Sequence, residues 1–332
     1  MNSTSNPKVL ITGAAGFIGF HLSHLLSQSK MNVVGIDSLN SYYSTKLKSD
    51  RIAQLSNFEN FRFIQMDICD KEALDKLFEQ ERFDYVVNLA AQAGVRYSIE
   101  QPYKYIDSNL IGFINILEAC RQFPVKHLVY ASSSSVYGNS NNIPFSTKEA
   151  CNEPVSLYAA TKKANEMMAH SYAELYQTPV TGLRFFTVYG PYGRPDMAYF
   201  SFTKKIINGD SIQVYNEGNL ERDFTYIDDI VEAIQKLLHL PFDTEMEKTK
   251  PYRLFNIGNN KPVKLMTFIN TLEKHIGTNA IKTFLPMQKG DVYKTFADIT
   301  PLEKRINFKP KTSIDEGLNQ FVSWYKSYYH HN

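Results

Sequence analysis

The chain has 332 residues, enough for one large α/β unit or for two domains. Its 36 basic and 34 acidic residues leave a formal charge of +2, which marks neither a nucleic-acid-binding nor a membrane-surface protein. Cys69, Cys120 and Cys151 have no metal-type spacing, so no metal site is expected and a reducing compartment is.

Met1–Pro7 is short and polar with no apolar signal region, and no apolar run is long enough to span a membrane. A cytoplasmic location without a membrane partner is therefore expected. Lys8-Val9-Leu10-Ile11-Thr12 is β-branched and apolar, the pattern of a buried parallel strand. Gly13-Ala14-Ala15-Gly16-Phe17-Ile18-Gly19 follows at once, and Phe20, Leu22, Leu25 and Leu26 continue at helical spacing. Strand, glycine turn and helix together are the setting of a dinucleotide loop. Gly13 permits the turn and Gly16 leaves room for a pyrophosphate. Ala15, Phe17 and Ile18 complete the cradle, and Gly19 lets the helix approach the sheet. The spacing is G-x-x-G-x-x-G. The next strand, Asn32–Ile36, ends at Asp37, 18 residues past Gly19 (37 − 19). An acidic side chain there binds ribose hydroxyls and repels a 2′-phosphate, which points to NAD over NADP.

Arg62–Gln65 reads as a third strand leading to Asp67 and Ile68, near the expected adenine end. Asp70 stands before a helix from Lys71 to Glu81. Tyr85–Leu89 reads as a fourth strand, and the small residues Ala90 and Ala91 beyond Leu89 allow a ligand to approach. Arg96 is either an anion contact or a solvated loop cation. Pro102–Arg121 reads as one long helix with Asn109 at its middle, where a buried amide needs partners.

His127–Ala131 reads as a fifth strand running into Ser132-Ser133-Ser134-Ser135. Hydroxyls at the C-terminal end of a parallel strand lie where such sheets bind ligands. Tyr158 follows Ser133 by 25 residues (158 − 133), at the start of a helix that also carries Lys162. Positions i and i+4 share a helix face, so a phenol and an ammonium can enter one cleft. A cation beside a phenol favours the phenolate, a base for neutral pH.

Val180–Phe185 reads as a sixth strand, after which the pattern changes. Pro191, Gly193 and Pro195 mark a loop, Phe200–Asn208 a helix and Ile212–Tyr215 a short strand. Asp223–Ile227 reads as a strand before a helix over Asp228–Leu240, and Pro241–Lys250 as a surface linker. Leu254–Gly258 reads as another strand, and Phe321–Tyr329 as an aromatic packing surface.

These features resemble the extended short-chain dehydrogenase/reductase family. The carriers are the Gly13-Gly16-Gly19 loop, Asp37, Ser133 and Tyr158-xxx-Lys162. Longer stretches resemble its nucleotide-sugar 4-epimerases, most closely those acting on UDP-glucuronate: Leu89–Ser98, Asp107–Gly112, Tyr130–Gly138, Leu183–Met197, Arg222–Ile230 and Lys289–Asp298. Tyr192 stands where the family motif has Trp, and Thr187 where UDP-galactose epimerases have Asn.

The resemblance implies an α/β fold: a Rossmann-type doubly wound parallel sheet with a smaller, interleaved C-terminal substrate domain. Residues 1–185 would bind NAD, with returns near 223–240 and 254–258, and 186–332 would mainly bind the nucleotide sugar. It implies Tyr158 as base, Lys162 as its partner on the nicotinamide ribose, and Ser133 beside the sugar C4 oxygen. Ser134, Ser135, Thr187 and Arg194 would surround a uronate carboxylate. Arg222 and Asp291 would lie near the pyrophosphate and nucleotide ribose, and Phe200, Gln213, Val214 and Tyr215 in the uridine segment. The implied reaction is C4 epimerisation of UDP-glucuronate to UDP-galacturonate through a 4-keto sugar, with NAD regenerated in place. A homodimer through Pro102–Arg121 and Leu157–Gln177, and a role in surface polysaccharide synthesis, are implied likewise. UDP-glucose 4-epimerisation, UDP-glucuronate decarboxylation and a non-catalytic NAD-sensing module are the alternatives. A 4,6-dehydratase is disfavoured, because Ser134 and Ser135 stand where that chemistry needs a carboxylate.

Overall fold

Short β-branched runs alternating with amphipathic helices dictate the architecture. The computed structural model describes residues 6–287 and 292–330. The first six strands are β1 (Lys8–Thr12), β2 (Asn32–Asp37), β3 (Phe61–Gln65), β4 (Tyr85–Asn88), β5 (His127–Ser133) and β6 (Val180–Phe185). Then come β7 (Thr187–Tyr189), β8 (Ser211–Tyr215), β9 (Glu221–Tyr226), β10 (Tyr252–Ile257), β11 (Pro262–Lys264) and β12 (Ile281–Leu285).

Seven strands form one sheet in the order β10-β6-β5-β4-β1-β2-β3, parallel throughout. Side chains alternate across it, as a period-2 strand requires. Val9 and Ile11 join a layer with Phe20, Leu26, Ile230 and Ile234. Leu10 joins the opposite layer with Leu74, Phe78, Ile116 and Leu117. Chain direction through the sheet reverses between β1 and β4, so a crevice opens above the C-terminal ends of those strands.

The C-terminal half interleaves with this frame. Strand β10 pairs with β6 in the large sheet. Strand β9 does not join that sheet; it lies between β7 and β11 in a three-stranded one. The helix after it, Ile227–Leu238, packs on helix Phe17–Gln28. Strands β8 and β12 form a parallel pair. Pro241–Lys250 is more than a linker. It contains helix Glu245–Thr249, and Glu247 pairs with Arg253 at 2.5 Å and Arg305 at 3.0 Å. The aromatic C-terminal segment is helix Ile314–Tyr328, which buries Phe321 and Tyr325 in the core.

The long helix expected over Pro102–Arg121 is continuous in path but not in type. Its turn Ile106–Ile111 is π-helical, between α-helical Pro102–Tyr105 and Gly112–Gln122. The Asn109 carbonyl in that turn accepts a 2.6 Å hydrogen bond from Asn165 Nδ2, a partner outside the ladder.

Candidate active site

A cleft of about 460 Å³ opens at the C-terminal ends of β1, β2, β4 and β5 and extends under the β6–β7 junction and Arg194. At one end lies the glycine loop. Gly13 has φ +71, and a Cβ there would sit 2.8 Å from Ala90 N. A Cβ on Gly19 would sit 2.1 Å from the Gly13 carbonyl oxygen, so the loop closes against its own helix only without side chains. Gly13, Gly16, Phe17, Ile18 and Gly19 line the cleft. Ala15 is buried behind them and donates its N–H to Asp37 Oδ2 at 3.2 Å. Asp37 also accepts from Leu39 N at 2.8 Å and stands at the cleft wall. Asp67, Ile68, Leu89, Ala90 and Ala91 line the same end. A cradle bare of Cβ atoms, opening a helix and followed by a ribose-height carboxylate, fits a dinucleotide.

Asn109 is buried behind this wall and orders it. Its Oδ1 accepts from Gln92 N at 2.8 Å, and its Nδ2 donates to the Gln92 carbonyl at 3.1 Å and to Thr161 Oγ1 at 3.0 Å. Thr161 Oγ1 donates in turn to the Tyr158 carbonyl at 2.9 Å. One amide thus ties the loop after β4 to the Tyr158 helix.

That helix, Leu157–Tyr176, is N-capped by Ser156, whose side chain accepts from Ala159 N at 3.1 Å. Tyr158 and Lys162 both reach the cleft. Lys162 is 3% exposed and donates to the Ala131 carbonyl at 2.9 Å. Burial pulls its ammonium down to about 8, so it remains mostly protonated at neutral pH. Burial raises the Tyr158 phenol above its ordinary range, and a hydrogen bond from Ser133 opposes the shift. Ser133 is poised to donate, because its Oγ accepts from Ser135 Oγ at 2.9 Å and Ser135 N at 3.2 Å. In the cofactor-free protein the phenol therefore lies above its ordinary range, with desolvation the largest cause and Ser133 and Arg194 pulling the other way.

At the far end Ser134, Ser135, Thr187 and Arg194 line the cleft together. Arg194 pairs side-on with Asp196, Nε–Oδ1 3.0 Å and Nη2–Oδ2 2.5 Å, and Asp196 also accepts from Tyr42 Oη at 3.2 Å. Burial works against the guanidinium, but Asp196 outweighs it and keeps Arg194 charged. Arg222 reaches the cleft edge and donates to the Tyr293 carbonyl at 3.2 Å. Arg96 is exposed, its guanidinium 5.6 Å from the Tyr215 ring centre. Phe200 and Val214 are core residues, and neither side chain lines the cleft. Gln213 is exposed and accepts from Tyr215 Oη at 2.8 Å. Asp291 lies outside the described residues.

Residues 9–258 match the model of the NAD dependent epimerase/dehydratase family. The chain belongs to that family. It is 53% identical to Protein CapI of Staphylococcus aureus, over 97% of this chain and 99% of the relative. It is 46% identical to UDP-glucuronate 4-epimerase 1 of Arabidopsis thaliana, over 98% of this chain and 78% of the relative. The crystal structure of UDP-glucuronic acid 4-epimerase from Bacillus cereus with UDP-glucuronic acid and NAD superposes with a TM-score of 0.88. That chain is 34% identical, with 97% of this chain and 100% of that one covered.

Two groups packed behind this epimerase-family site were not singled out by the sequence reading. Glu166 and Arg184 form a buried bidentate pair, Nε–Oε1 2.7 Å and Nη2–Oε2 2.8 Å, and Ser132 Oγ donates to Glu166 at 2.7 Å. The Arg184 guanidinium lies 4.7 Å from the Tyr137 ring centre. The pair ties the Tyr158 helix to β6, and the Ser132 bond ties the same carboxylate to the serine end of β5. An arginine inside the otherwise uncharged strand run Val180–Phe185 was the available signal, since a buried charge demands a partner. The second group is Arg51, which is fully buried beside the glycine loop.

Proposed function

We propose that the protein interconverts UDP-glucuronate and UDP-galacturonate by inverting C4 of the sugar, with NAD as a resident cofactor. The carrying observation is that Ser133, Tyr158 and Lys162 share one cleft with Ser134, Ser135, Thr187 and Arg194. NAD, when bound on the glycine loop, supplies a reversible hydride acceptor. The rest is work for the chain. Tyr158 takes the proton of the C4 hydroxyl, with Lys162 stabilising the phenolate and Ser133 holding the C4 oxygen. The resulting 4-keto sugar turns within the cleft so that the hydride would return to the opposite face of C4, and Tyr158 gives its proton back to the C4 oxygen.

A ketone at C4 beside a carboxylate on C5 is a β-keto acid, which loses CO₂ when the breaking bond aligns with the carbonyl π system. Hydroxyls of Ser134, Ser135 and Thr187 with the remaining N–H groups of the Arg194 guanidinium would hold that bond near the carbonyl plane. Because Arg194 already serves Asp196 through Nε and Nη2, the sugar meets a charged guanidinium whose countercharge is already present. That pairing makes neutral UDP-hexose the competing substrate. A homodimer belongs to the same proposal, supported by exposed Ile99 and Tyr103 near the π-helical turn and Met167, Leu175 and Tyr176 on the Tyr158 helix. So does a cytoplasmic location, supported by three free cysteines.

The test is incubation with UDP-glucuronate without added NAD, with products read by NMR. UDP-galacturonate is expected. UDP-pentose with CO₂, or turnover of UDP-glucose alone, would refute the substrate assignment. Tyr158→Phe should keep NAD and lose turnover.

A further inference from the structure

The loop that carries Arg194 is held by donors from the cofactor side of the molecule. His21 Nε2 meets the Pro191 carbonyl at 2.9 Å. Arg51 Nη2 donates to the Tyr192 carbonyl at 2.6 Å and the Gly193 carbonyl at 3.2 Å. Three successive carbonyls are thus captured immediately before Arg194. Through Nη1 the same guanidinium donates to the Ala15 carbonyl at 2.6 Å, inside the glycine loop, and to Tyr43 Oη at 2.8 Å. The loop has little freedom to absorb a shift. Tyr192 is left-handed at φ +54, and a Cβ on Gly193 would sit 2.1 Å from Tyr199 Oη.

Arg51 is 0% exposed, all these acceptors are neutral, and Nε has no hydrogen-bond partner. Among the described residues no carboxylate lies within ion-pair distance of it. An unpaired buried cation is costly, and arginine cannot shed its proton. The glycine loop that it grips is where the cofactor pyrophosphate would bring negative charge.

We infer that Arg51 is a positioning residue that couples cofactor occupancy to the placement of Arg194 and so to the grip on the sugar. Pyrophosphate on the glycine loop supplies the countercharge that Arg51 lacks. The stabilised guanidinium then fixes the 191–193 carbonyls from which Arg194 projects. By linkage the effect is reciprocal: the nucleotide sugar tightens NAD by the same factor. Because Arg194 is assigned to the sugar carboxylate, the coupling rests on that reading and should be larger for UDP-glucuronate than for UDP-glucose.

The experiment is equilibrium dialysis of the holoenzyme against graded NAD, with and without saturating UDP-glucuronate and, in parallel, UDP-glucose. In the wild-type protein the sugar should tighten NAD by roughly fivefold or more. Arg51→Lys, which keeps the charge and loses the fork, should retain part of that factor, and Arg51→Met should lose it. A purely structural Arg51 would lower thermal stability in both variants and leave the factor intact, which overturns the inference. A wild-type factor of one for both sugars overturns it without any variant, so a failure of Arg51→Met to fold does not block the test. A factor seen with UDP-glucose alone refutes the uronate assignment and overturns the inference that rests on it.

Discussion

Glu166→Gln tests the buried clamp behind Tyr158 and Lys162. Glu166 is 2% exposed, and its carboxylate accepts two bonds from Arg184 and one from Ser132, with Lys163 Nζ at 3.3 Å. Burial alone would raise its carboxyl, but Arg184 outweighs burial and holds it below the usual range. The amide keeps the shape and removes the charge. Arg184, 0% exposed and with Nη1 already unpartnered, is then a buried cation without a countercharge. Such a break costs about 3–5 kcal/mol. At about 2 °C per kcal/mol for a chain of this size, the melting temperature should fall by roughly 6–10 °C. Ser132 precedes Ser133 on β5, so its release also moves the hydroxyl that faces Tyr158. Turnover should drop about tenfold or more while NAD is retained. Calorimetry reads the first effect, and UDP-sugar conversion with cofactor content reads the second. The double variant Glu166→Leu/Arg184→Met should recover most of the lost stability, because an apolar pair needs no countercharge. A single variant within about 1 °C of wild type, or a double variant no more stable than the single, would refute the clamp.

The cofactor-free protein should gain stability relative to Lys162→Met as the pH rises from about 8 towards 10.5. In that window the unfolded lysine keeps a proton that the folded one has released, so the gain accumulates to about 3 kcal/mol. Denaturant titrations across the window check it, and a flat difference would contradict the burial of Lys162. Arg194→Ala should reduce turnover of UDP-glucuronate by about tenfold or more and that of UDP-glucose far less, with NAD content unchanged. Equal losses on both sugars would remove the carboxylate role. Met167→Lys with Leu175→Lys, on the exposed face of the Tyr158 helix, should shift a dimer to monomer in sedimentation. An unchanged mass would exclude that face.

Most of the cofactor half was legible because its signals are local. β-branched runs gave β1 and β6 with correct ends and β2 one residue short of Asp37, and the glycine spacing located the loop. Ser133, Tyr158 and Lys162 share the cleft, as the sequence suggests, because strand ends and i/i+4 spacing converge in this topology. The missed features depend on long-range packing. Arg51 meets its Tyr192 partner 141 residues away, and no periodicity links them. The π-helical turn at Asn109 is set by Asn165 on another helix, which an apolar repeat does not register. Phe200 and Val214 came from a motif that matches a segment, whereas the core claims the side chains themselves. The direction of the Tyr158 shift also needed the structure, since desolvation is invisible in spacing.

The order of strands in the large sheet has a consequence for synthesis. Strand β6 ends at Phe185, but its outer neighbour β10 is complete only at Ile257, 72 residues later (257 − 185). At about 5–20 residues per second, that edge stays unpaired on the ribosome for roughly 4–14 s. Val180–Phe185 is buried along its whole length in the finished protein and carries one charge, Arg184, which Glu166 neutralises from an earlier helix. A nascent chain therefore presents a sticky, nearly neutral strand edge, a template for pairing with other chains. Expression at lower temperature or with a chaperone should raise the yield of soluble protein most for variants that slow the arrival or docking of Tyr252–Ile257.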